Sequence, residues 1–130
     1  MELNEHIEYW INTSNNDFEV FEVLLNNKKY LHALFIAHLS LEKLIKAQWV
    51  KDYNNSVPPK IHNLITLIKQ TSLELEHEQL VFLTLMNDFQ IQGRYPDYKI
   101  KIHQLLTDDF VNDIYMKYKE IRECLLQKIV

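Results

Sequence analysis

At 130 residues and a net charge of −4, the chain has the length of one domain and lacks the clustered Lys and Arg that broad nucleic-acid coating demands. A single Gly and three Pro leave few places for turns, which favours long helices over a many-stranded sheet. One cysteine, Cys124, excludes an internal disulfide and reads as a helix-face residue near the C-terminus.

A domain of this size buries roughly two-thirds of its unfolded surface, enough for a core without staples, and residues 1–130 are expected to form one unit. The opening residues carry Glu2, Glu5 and Glu8 and lack the basic region and apolar run of a secretory signal, so a cytoplasmic protein is expected. The most apolar stretch, Leu31 to Leu41, is interrupted by two histidines and followed at once by Glu42, Lys43 and Lys46. A membrane span needs about 20 apolar residues, so none is expected.

In chain order, Ile7, Trp10, Ile11, Ser14, Phe18, Phe21 and Leu25 recur at steps of three and four, which predicts a first helix over 3–25, ending at Asn26-Asn27. A second helix, 30–53, is apolar on two sides: Leu31, Phe35, Ile45 and Trp49 on one, Leu34, Ala37, Leu41 and Leu44 on the other. Such a helix is either central or shared with a second subunit. The run Asn54 to Pro59 reads as a turn. Ile61, Leu64, Ile65 and Ile68 predict a short third helix ending near Gln70. Leu80, Leu83, Met86 or Asn87, and Phe89 mark a fourth, expected to stop at Gly93. Tyr98 to Ile102 alternates like a strand but has no partner, and reads as an extended connection. Thr107 caps a last helix with Asp108 and Asp109 at its start, Lys128 near its end, and Phe110, Ile114, Tyr118, Ile121 and Leu125 on its inner face. The expected fold is all-α, an antiparallel up-down bundle of about five helices.

Few residues can carry chemistry. His38, Glu42 and Lys46 stand at successive steps of four and form one polar stripe. It reads either as an acid-base or ligand-binding stripe, or as an ordinary i,i+4 ion pair of Glu42 and Lys46, about 0.2–0.5 kcal/mol, with His38 capping the row. The other histidines, among them His62, His77 and His103, are scattered, and neither a metal site nor a cofactor is expected. No phosphate loop or nucleophile elbow is present. The strongest candidate is Gly93-Arg94-Tyr95-Pro96-Asp97-Tyr98 with Lys99, Lys101 and His103 behind it. A guanidinium past a helix end, flanked by tyrosines, joins a phosphate reader to stacking faces. The plainer alternative is a solvated loop in which Arg94 pairs with Asp17 or Glu42.

The ordered set of Trp10 with Asp17, then His38, Glu42, Lys43 and Lys46, then Pro59 with His62, then Arg94-Tyr95-Pro96-Asp97, resembles the HEPN domain over nearly the whole chain. The resemblance implies an up-down bundle, commonly a homodimer, often encoded beside a minimal nucleotidyltransferase as a toxin-antitoxin pair, and in many members a metal-independent ribonuclease. The nuclease branch carries a histidine with four to six residues between it and its arginine. From Arg94 those spacings fall on Lys99, Ile100 and Lys101, and the first histidine is His103. The chain is closer to the branch with the proline-containing motif, for which binding of a nucleotide or a partner is implied. Ligand-binding candidates are therefore Arg94, Tyr95, Asp97, Tyr98, Lys99 and Lys101, with His38, Glu42 and Lys46 in support. Arg94 with His103 are the catalytic candidates of a divergent ribonuclease, and a purely structural interaction bundle is the third reading.

Overall fold

A computed structural model describes residues 1–94 and 104–129, with the backbone alone for 91–94. Among the described residues the chain forms five helices, α1 (Leu3–Asn26), α2 (Tyr30–Asp52), α3 (Leu64–Lys69), α4 (His77–Arg94) and α5 (Asp108–Ile129), in an all-α up-down bundle. None of them is long and apolar enough to cross a membrane.

The turns explain why the helices stop where they do. At the end of α1, Lys28 takes a left-handed φ of 56°, its N–H donates to Leu25 O, and Lys29 N donates to Leu24 O at 2.9 Å. This is a Schellman closure, and it satisfies carbonyls the helix would otherwise leave open. The end of α2 repeats it: Asn54 sits at φ 53° and Asn55 N donates to Val50 O at 2.9 Å. Asparagine tolerates that conformation at little cost, which is why a turn predicted from composition falls there. Asn63 caps α3 by accepting from Thr66 N at 3.1 Å, and Thr107 caps α5 by accepting from Phe110 N at 3.2 Å.

α2 is the axis of the bundle. It packs against α1, α3, α4 and α5, so its apolar residues are covered from every side. Leu34, Ala37, Leu41, Leu44 and Ile45 are fully buried, and each large side chain there contributes on the order of 1.5–3 kcal/mol. Of the two explanations for an all-round apolar helix, centrality suffices, and a second subunit is not needed to cover α2. Trp49, expected on the same side of the helix as Phe35, is half-buried, stacks on Tyr53 at 4.2 Å between centroids, and donates its indole N–H to Gln70 Oε1 at 3.3 Å.

One boundary differs from expectation. α4 runs through Gly93 to Arg94, and no glycine among the described residues has positive φ. The expected extended connection from Tyr98 to Ile102 lies outside the described residues.

Candidate functional site

The step of four along α2 puts His38, Glu42 and Lys46 on one face, as the sequence predicts, but that face is not a surface. The three residues are 0%, 4% and 6% exposed. The i,i+4 ion pair expected of Glu42 and Lys46 is present, with Lys46 Nζ 3.0 Å from Glu42 Oε2, and it is buried. The physical reason is that α2 is enclosed, so even its polar stripe is covered by α1, by residues 61–63 and by α4.

Each covering segment contributes a polar group. From α1, Trp10 lies under the ammonium of Lys46, 5.7 Å from Nζ to the ring centroid. From the stretch before α3, His62 Nδ1 stands 2.9 Å from Glu42 Oε1. The ionised carboxylate only accepts, so His62 donates from Nδ1, and neutral His62 presents Nε2 as an acceptor. Its side chain is 39% exposed, which makes it the point where the buried stripe meets solvent. From α4, the Asn87 side chain accepts from Leu64 N at 2.9 Å and donates to Asn63 Oδ1 at 3.2 Å, which fixes α4 to the start of α3.

Two groups in this stripe are buried without a hydrogen-bond partner among the described residues: the indole N–H of Trp10 and both ring nitrogens of His38. Burial pushes the His38 pKa down, opposed by the charge of Glu42, by the Asn87 side chain and by the His62 backbone, with the charge of His62 adding to the lowering. Asn87 and His62 lie near enough to influence the ring without making a hydrogen bond of ordinary geometry to it. An uncharged imidazole thus sits beside a carboxylate that already serves two cationic or potentially cationic groups. Asp17, one of the carboxylates offered to Arg94 by the sequence, pairs with Lys43 at 2.8 Å.

The remaining predicted site residues divide cleanly. Arg94 is the last residue of α4, seven positions beyond Asn87, about 10 Å along the axis and near the same angular position. Its side chain is outside the described residues, as are Tyr95, Asp97, Tyr98, Lys99, Lys101 and His103 in full. Among the described residues no group of three or more His, Cys, Asp and Glu is placed to hold a metal ion.

Sequence reasoning missed His62 and Asn87. A contact across 20 residues leaves no local spacing to read, and Asn87 is offered by periodicity only as an alternative to Met86, which is the buried residue of the two. It also missed Arg122, which is 5% exposed and donates to Ser14 Oγ at 2.9 Å and to Asn15 Oδ1 while lying over the Phe18 ring. A family model described as HEPN domain matches residues 7–129. No curated protein and no solved structure matches the chain.

Proposed function

The chain belongs to the HEPN domain family, and from that premise we propose that it binds a nucleotide or RNA phosphate at the C-terminal end of α4, through Arg94. The observation that carries this reading is the tie of α4, through Asn87, to Asn63 and Leu64 at the start of α3, next in sequence to the His62 that pairs with buried Glu42, with Arg94 as the last residue of α4 and the basic run to His103 directly after it in sequence. Asn87 anchors α4 against α3, so the end of the helix offers a fixed base for a guanidinium that grips phosphate oxygens in a bidentate fork. Tyr95 and Tyr98 supply stacking faces, Lys99 and Lys101 add attraction without geometry, and Asp97 sits among them as the single carboxylate. The protein works as a homodimer beside a minimal nucleotidyltransferase in a toxin-antitoxin-like pair, a reading supported by its membership of the family, in which that arrangement is common.

Calorimetry with nucleoside triphosphates and short RNA tests the ligand, and thermal melts establish that each variant is folded. Arg94→Lys is expected to weaken binding nearly as much as Arg94→Ala, because an ammonium keeps the charge and loses the planar fork. Absence of binding by the wild type at low salt, or unfolding of Arg94→Ala, makes Arg94 a structural residue and favours the interaction-bundle reading.

One observation favours an enzyme as the second reading. Glu42 and His62 form a carboxylate-backed imidazole with Nε2 available to take a proton, an arrangement suited to general-base work. RNA cleavage in the presence of chelator, lost in Arg94→Ala, would promote it. Loss in His62→Gln would assign the proton transfer to that pair, and loss in His103→Ala to the histidine nearest Arg94 in sequence.

A further inference from the structure

α4 and α5 each pack on α2 and scarcely on one another, so an open cleft of about 560 Å³ runs between them. Its floor is apolar: Phe82 and Ile121 are buried at its base, Leu85 is half-buried, and Val81 is 54% exposed on its edge. Its rim is acidic, with Glu76, Glu78 and Glu120. The one lysine there, Lys117, has its charge met by Asp113 at 3.0 Å, whereas the three glutamates have no cationic partner among the described residues. Part of this acidity serves α4 itself, since Glu78 lies in its first turn. Glu120, in the middle of α5, has no such duty.

We propose that this cleft docks a short amphipathic, basic segment of another protein, laid along α4 from Glu76 to Leu85 with apolar side chains on Phe82 and Ile121 and its Lys or Arg over the glutamate rim. The polar groups stand on the rim and do not converge within the cleft, which suits a helix-in-groove partner better than a small molecule. A second copy of this chain is disfavoured as the occupant. A two-fold contact brings each patch against itself, and here that sets glutamates against glutamates. The segment from Glu76 to Leu85 covers about 14 Å, which accepts two to three helical turns. The cleft lies on the opening half of α4 and Arg94 at its end, so the two sites are separable by mutation.

The test uses the full chain and a synthetic 18-residue peptide with leucines at i, i+3, i+4 and i+7 and lysines elsewhere, beside a scrambled peptide of the same composition. Fluorescence anisotropy should show salt-sensitive binding of the first peptide and at least about tenfold weaker binding of the second. Glu120→Lys is expected to weaken binding by about tenfold, with its effect shrinking at high salt. Val81→Glu is the sharper variant: it adds rim charge while removing apolar contact, so a merely electrostatic association would tighten and a docked segment must weaken. Tightening in Val81→Glu, equal binding of the scrambled peptide, or no binding at low salt overturns the proposal. So does conversion of a dimer to a monomer by Val81→Glu, which would make the cleft a self-interface. Arg94→Ala should leave peptide binding unchanged and Val81→Glu should leave nucleotide binding unchanged, so failure at one site is readable apart from failure at the other.

Discussion

Two polar networks are buried against α2, and they solve the same problem differently. One holds full opposite charges, Glu42 with Lys46 and His62, and leaves the nitrogens of His38 and Trp10 without hydrogen-bond partners among the described residues. The other is built on hydroxyls: Ser14 Oγ donates to Ser40 O at 2.7 Å, Ser40 and Tyr118 share a hydrogen bond, and Arg122 is held by Ser14 and Asn15. In the second, each side chain named has a partner and the work is the joining of α1, α2 and α5. In the first, unsatisfied groups remain beside a buried carboxylate and a half-buried histidine. A fold pays for incomplete satisfaction, so the contrast marks the charged network as the one shaped by something besides stability.

The contrast can be broken most directly at Glu42. Glu42→Gln strips the charge partner from a lysine that is 6% exposed, and a loss of about 3–5 kcal/mol is expected in urea denaturation. Replacing both Glu42 and Lys46 with leucine should cost much less, because the pair's attraction is largely spent on its own desolvation. A Glu42→Gln cost below about 1 kcal/mol would mean that Lys46 reaches water, and the two networks would then not differ in kind.

A smaller effect is expected in the hydroxyl network. Tyr118→Phe keeps the ring packed edge-on against Phe21, at 4.8 Å between centroids, and removes only the bond to Ser40, for about 1 kcal/mol by the same measurement. A cost near that of Glu42→Gln would show the hydroxyls to be the stronger framework.

At neutral pH the smallest effect belongs to His38, because it vanishes there. Burial lowers its folded pKa below the unfolded value of about 6.5, so as pH falls through that value the unfolded chain takes up a proton that the folded one refuses. Stability should fall between pH 6.5 and the lower folded pKa, and be unaffected by this group above pH 7. Urea midpoints across pH 5 to 8 should show that slope in the wild type and a shallower one in His38→Leu. Equal slopes would indicate that another group answers for the acid sensitivity.

Much of the fold was legible because helices write themselves locally. The three-four spacing of α1 and α5, the cap at Thr107 and the asparagines after α2 are all decided within a few residues, and even Ser14 appears in its apolar stripe as a position that proves buried. The end of α4 misread because Gly93 was taken as a stop from its residue type, and the helix passes through it to Arg94. The site was legible as a row and not as an environment. His38, Glu42 and Lys46 share a face by periodicity, but whether that face meets water depends on what α1, α3 and α4 place over it, and no spacing carries that information. Arg122 is the plainest case: nothing in its local spacing singles it out, and it is enclosed because Ser14 and Phe18, distant in sequence, pack over it.

The central place of α2 also has a bearing on synthesis. Asp52 closes that helix, yet α4 is not complete until Arg94 and α5 not until Ile129. At about 5–20 residues per second, a ribosome leaves the far sides of α2 uncovered for several seconds, with the α1 hairpin shielding one flank. A helix that is apolar all round is a secure axis in the finished bundle and an adhesive intermediate while the chain is still emerging. Its yield in cells should therefore respond to chaperone supply and translation speed more than its equilibrium stability would suggest.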